Sequence, residues 1–180
     1  LLAERAGVSY DQLMQSRICR PLGMADTTVS LNDGLQKRLA PGHRSSLRFG
    51  PLQIALDSAN WDLPNHFAGA GGIRSTANDM LTFLKANMGA IDSPLNQPMR
   101  ESHKELLKDE ESLAMAMNWI RMERGDKRPA IIWHNGGTGG YRSFMGFTED
   151  GRFGVVVLAN TAKSMDQLGR DLLVELEQAH

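Results

Sequence analysis

Residues 141–160 read YRSFMGFTEDGRFGVVVLAN, and this stretch decides the fold. Tyr141 to Phe147 and Arg152 to Ala159 both have the aromatic and β-branched character of strands, and Asp150-Gly151 between them is a strong hairpin signal. Val155-Val156-Val157-Leu158 is apolar at every position, as expected of a central strand covered on both faces. Working outward, Ala130 to His134 and Leu113 to Met122 read as two earlier strands, separated by a turn around Gly125-Asp126. Beyond the hairpin, Ser164 opens a final helix on which Met165, Leu168, Leu172 and Leu176 form an apolar stripe. An antiparallel meander of about four strands, closed by a helix, is an α+β pattern.

The first two thirds of the chain read differently. Residues 1–7 look like the last turns of a helix ending at Gly7, a residue suited to the left-handed position after a helix. Ser9 to Gln12 has the form of a capping box, and the helix it opens ends at Pro21 and Gly23. From Ala25 to about Phe67 no sustained periodicity exists; prolines and glycines punctuate it into loops with short helical or extended pieces. A long irregular segment of this kind belongs beside a functional site. After Gly71-Gly72, Ser75 or Thr76 can cap a helix whose Ala77, Met80, Leu81, Leu84 and Met88 share a face. Residues 96–112 suit a further short helix and its connection. The expected organisation is a helical and loop region over 1–112 and a meander with its closing helix over 113–180, together one domain.

Composition excludes several classes of function. Hydrophobic residues make up 41% and charged residues 23%, with a formal net charge of -1, which suits a globular fold and offers no basic surface for nucleic acid. No apolar run approaches the length of a membrane span. Cys19 is the only cysteine, so an intrachain disulfide is impossible, and a lone Cys in an apolar setting is usually a small core residue. The five histidines have no helical metal-site spacing, so neither a metal nor another cofactor is expected.

The chemistry concentrates at His134-Asn135-Gly136-Gly137-Thr138-Gly139-Gly140-Tyr141, between two expected strands. Four glycines in five residues cost chain entropy, and a sheet carries them where backbone must come close to something. A glycine N–H at a strand end can reach a developing oxyanion, and His134 could donate a hydrogen bond or a proton beside it. A structural hairpin loop with a surface His is the competing reading, and a phosphate loop lacks its Lys.

This run resembles the third motif of class C β-lactamases, penicillin-binding DD-peptidases and related esterases. Three further stretches are similar to the same family in the same order: residues 18–27, reading ICRPLGMADT; residues 70–80, reading AGGIRSTANDM; and residues 154–160, reading GVVVLAN. The resemblance implies an incomplete β-lactamase/transpeptidase-like fold. His134 would take the place of the motif's Lys or His, and Gly137 would give an oxyanion N–H. Asn135, Gly136, Thr138 and Tyr141 would line the substrate side. It also implies acyl-enzyme chemistry on a small ester, peptide or β-lactam substrate, and a periplasmic or secreted setting. Yet no Ser is followed three residues later by Lys, and Tyr10-Asp11-Gln12 is not the family's Tyr-x-Asn. The isolated chain is therefore expected to be inactive, as a piece of a hydrolase or as a non-catalytic remnant that binds a ligand or partner. A sheet lacking the family's N-terminal strands would expose an edge, through which homo-oligomers, visible by light scattering, could form.

Overall fold

The computed structural model describes residues 1–108, 113–125 and 127–180. The chain forms two units: Leu1–Asp79 with Gly136–Ser143 and Leu158–Ser164, and Met80–Asn135 with Phe144–Val157 and Met165–His180.

In the first unit, helix α1 (Leu2–Arg5) leads to Gly7 at φ +67°. The capping box is formed: the Ser9 hydroxyl accepts from the Gln12 N–H at 3.1 Å, and the Gln12 side chain accepts from the Ser9 N–H at 2.9 Å. Helix α2 (Tyr10–Met14) continues through a π-helical turn (Gln15–Cys19) into α3 (Arg20–Leu22), which stops at left-handed Gly23. Two carboxylates then organise the irregular chain. Asp11 accepts the N–H groups of Val29 and Ser30, at 3.0 and 3.3 Å, and the Thr28 hydroxyl at 3.0 Å. Asp79 accepts the Asp26 N–H and the Thr27 hydroxyl, both at 2.8 Å. Each replaces backbone pairing that loop residues would otherwise lack.

Helix α4 (Asp33–Arg38) is capped by Asn32, and strands β1 (Gly42–Phe49) and β2 (Leu52–Ser58) form an antiparallel hairpin. In sequence, this region reads only as loops with short helical or extended pieces. No strict alternation betrays the hairpin, and Gly50, read as punctuation, is its turn at φ +58°.

Strands β3 (Leu107–Lys108), β4 (Leu113–Met115), β5 (Ile120–Met122), β6 (Ile131–Thr138), β7 (Tyr141–Thr148) and β8 (Gly154–Ala159) follow one another in a six-stranded sheet in chain order. The fold is α+β with antiparallel sheets flanked by helices. The expected strand over 113–122 is in fact two strands, turned at Asn118 with φ 60°. Strand β6 also runs four residues past His134, straight through Gly136 and Gly137, where the sequence placed a loop. The expected turn at 125–126 lies partly outside the described residues.

The second unit puts this sheet between two helices. On one face Ile131, Trp133, Phe144 and Val155 pack with Leu173 of α7 (Asp166–Gln178). On the other, Ile132, Phe147, Ala116 and Trp119 pack with Leu84 of α5 (Ala77–Asn87). Val155 and Val156 thus enter opposite cores, as a fully apolar strand requires. Helix α7 begins at Asp166 rather than Ser164, and its buried face is rotated from the expected leucine stripe. Leu168 and Leu176 are exposed, while Gly169 and Leu173 are buried. The cause is Phe144, whose ring fills the space a side chain at position 169 would need. Helix α5 shows a similar rotation: Leu81 is exposed and Ala86 and Asn87 are buried.

His103, which ends helix α6 (Asn96–Ser102), is built into the second core. Its Nε2–H donates to Asn87 Oδ1 at 2.9 Å, and its ring meets Phe147 and Trp119 edge-on at centroid distances of 5.1 and 5.4 Å. Burial pushes its pKa down to about 4. A group depressed below its unfolded value of 6.5 leaves the native state binding fewer protons, so stability is full above that pH. It is lost as pH falls from 6.5 to about 4. Because the ring is only partly buried, the loss expected from His103 is about 1–2 kcal/mol. Urea unfolding of wild type and His103→Phe across this range should show a shallower pH slope in the variant; parallel slopes would refute the assignment.

Candidate active site

The division between the units falls between Asn135 and Gly136, inside strand β6. In the second unit, His134 is exposed and its Nδ1 lies 2.6 Å from the Asn135 carbonyl. A carbonyl can only accept, so Nδ1 is the donor in this contact. Asn135 donates through Nδ2 to Asp166 at 2.8 Å, so its amide ties β6 to the first turn of α7.

In the first unit every glycine of the run has a neighbour against it. A Cβ at Gly136 would lie 2.5 Å from Ser143 Oγ, and one at Gly137 would lie 3.0 Å from the Arg142 guanidinium. One at Gly139 would meet the Ala59 carbonyl at 2.7 Å and the Trp61 indole at 2.8 Å. Gly140, at φ +78°, lies against the backbone of Gly42 and His43. The close approach inferred from the composition is real, and these partners are the chain's own. Thr138 points its methyl toward Gly71.

Tyr141 is an anchor. Its hydroxyl lies 2.7 Å from both the Ala40 carbonyl and Asn60 Oδ1, and its ring packs on Gly42. Burial raises its pKa, so the hydroxyl stays protonated and serves as a donor. Arg74 secures the neighbouring segment: its guanidinium donates to the carbonyls of Val29, Gly72 and Trp61 and to Asp62 Oδ1, at 2.8–3.1 Å. Arg74 lies within residues 70–80, but three of its four partners are 12 to 45 residues away, so the sequence does not mark this hub. Nor does it mark Asn60, Trp61 or Arg142. No local pattern marks any of them.

Cys19 and Tyr10 are not nucleophile candidates. Cys19 is buried, and desolvation, with the charges of Asp79 and Asp11, pushes its thiol up. Burial likewise raises the pKa of Tyr10, whose ring lies against Gly69. Among the described residues no three His, Cys, Asp or Glu side chains gather as a metal site would need, and no helix is long and apolar enough to cross a membrane.

The chain belongs to the Beta-lactamase family, whose model matches residues 1–179. It is 27% identical over 192 residues to the D-alanyl-D-alanine-carboxypeptidase/endopeptidase AmpH of Escherichia coli (strain K12), covering 97% of this chain and 47% of that protein. It is 21% identical to a Beta-lactamase of Pseudomonas fluorescens, with 89% and 51% covered. Among solved structures, a class C beta-lactamase mutant superposes with a TM-score of 0.79 at 19% identity over 99% of this chain and 54% of that one. The beta-lactamase from Sulfitobacter sp. EE-36 gives the same TM-score at 21% identity, covering 99% and 56%. The chain thus spans about half the length of these relatives.

Proposed function

We propose that this chain forms the glycine-strand portion of a serine hydrolase that acts through an acyl-enzyme on an ester, amide or β-lactam. The observation that carries the proposal is strand β6, which bears an exposed His134 and continues as strand through Gly137. In this reading the Gly137 N–H binds the developing oxyanion, and His134 exchanges a proton or a charge-assisted hydrogen bond with the reacting groups. The nucleophile is a Ser of a Ser-x-x-Lys segment outside these 180 residues, so the isolated chain is inactive. A related D-alanyl-D-alanine carboxypeptidase supports a peptide-like substrate.

A second reading is a non-catalytic, ligand-binding remnant. One observation favours it: Ser143, Arg142, Trp61 and His43 account for the four glycines without any ligand. The test is an intact-mass measurement on the native protein, purified from its source, after exposure to a fluorophosphonate or a penicillin. A covalent adduct on a polypeptide longer than these residues is the expected result, with acylation slowed about 10²–10³-fold by His134→Ala. No adduct, on a protein whose mass equals these residues alone, would leave the remnant reading.

A further inference from the structure

We infer that the second unit binds a small linear zwitterion, an ammonium and an anionic group joined by a short apolar stem, in a cleft beside helix α6. The cleft has a volume of about 650 Å³, within the range of small-molecule sites. Every residue that lines it belongs to the second unit: the end of α5, the end of α6 with the residues after it, and strands β5, β6 and β7 with theirs. No residue of the glycine run takes part.

The lining is balanced in charge. Arg100, Lys104 and Arg121 face Glu105, Glu123 and Glu149, so a ligand of either net sign is opposed by as many charges as attract it. The sheet holds the acidic end in place. Arg121 is the register partner of Ile132, and its Nη2 reaches across β6 to Glu149 Oε2 at 2.7 Å, while Nη1 holds Glu123. The arginine side chain is 16% exposed and the two glutamates 37% and 48%, so a shielded cation pins two carboxylates that still face solvent. One arginine between two glutamates leaves a negative charge over. Glu123 Oε2 and Glu149 Oε1 accept no hydrogen bond from a described residue, which leaves them to an ammonium. Helix α6 supplies the cation. Arg100 is exposed and meets no carboxylate among the described residues, whereas Lys104 is held by Glu101 at 2.7 Å. The neutral wall is satisfied internally: His103 bonds to Asn87 at 2.9 Å, and the Asn87 amide donates to the Phe83 carbonyl at 2.8 Å. With Met88 and Phe147 it offers a ligand's stem contact without demanding a hydrogen bond.

The test needs no nucleophile, so its result is independent of the acyl-enzyme reading. The 180-residue chain is titrated with 6-aminohexanoate and, at matched ionic strength, with hexanoate and hexylammonium, which each keep one of its charges. The readout is the backbone amide shifts of residues 87–89, 103–105 and 147–149. Saturable shifts there with 6-aminohexanoate, and binding at least about tenfold weaker for each single-charge probe, are the expected result. Arg100→Gln should bring the zwitterion down to the level of hexylammonium, and Glu149→Gln to that of hexanoate. Both side chains are exposed, so neither substitution disturbs the core. No saturable shift, shifts centred elsewhere, equal binding of the three probes, or a preference that survives both substitutions would overturn the assignment.

Discussion

Phe144→Ala is expected to destabilise the second unit by about 3–5 kcal/mol, enough to unfold a domain of ordinary stability. Phe144 is 1% exposed and stacks on Trp133 at 5.7 Å with the rings 23° apart. It packs with Ile131, Val155 and Leu173 between the sheet and α7. Gly169 is the other half of the arrangement. A Cβ there would lie 2.1 Å from the Phe144 ring, so the helix has no side chain that could collapse into the space left by the truncation. The cavity stays open, which places the cost at the upper end for large-to-small changes. The measurement is urea unfolding followed by near-ultraviolet circular dichroism, which reports the Trp133 environment. A loss below about 1 kcal/mol would mean that α7 does not dock on Phe144 as described.

Gly140→Ala should cost about 2–4 kcal/mol in the first unit, through two separate effects. The residue has φ +78°, where a side chain is strained by about 1 kcal/mol. The added Cβ would also lie 2.6 Å from the His43 nitrogen and 2.7 Å from the Gly42 carbonyl carbon, and backbone atoms cannot swing aside. Relieving the overlap means separating β1 from the β6–β7 turn, with loss of the 3.1 Å hydrogen bond from the His43 N–H to the Gly140 carbonyl. Gly50→Ala is the control: φ is +58°, but nothing lies within 4 Å, so only the conformational strain of about 1 kcal/mol remains. Hydrogen exchange at the His43 amide should speed up in Gly140→Ala and stay slow in Gly50→Ala. Equal behaviour of the two variants would show that the packing around Gly140 is not restrictive.

Some elements were legible because a local signal is enough to form them. The capping box at Ser9, the left-handed ends at Gly7 and Gly23 and the Asp150-Gly151 turn are each decided within four residues. The strand of valines is decided by composition, since only a strand covered on both faces tolerates apolar side chains at every position. The order of four family-like stretches was likewise a property of the sequence, and the match over residues 1–179 agrees with it.

Other features could not be read locally because their causes are distant. The buried face of α7 depends on Phe144, 25 residues upstream of Gly169, so Met165 and Leu172 of the expected stripe pack on the core while Leu168 and Leu176 stay exposed. The β1–β2 hairpin forms without alternation because it docks on Gly139, Gly140 and Tyr141, about 100 residues later. For the candidate site, the sequence by itself determined which residues occur together: a histidine, a glycine run and an aromatic within residues 134–141. Only the tertiary structure decided what each does. It commits Asn135 to Asp166 and Tyr141 to Ala40 and Asn60, turns His134 Nδ1 to the Asn135 carbonyl, and sets Arg142 against Gly137. Hydrogen-bond partners are properties of three-dimensional neighbours, and no spacing along the chain encodes them.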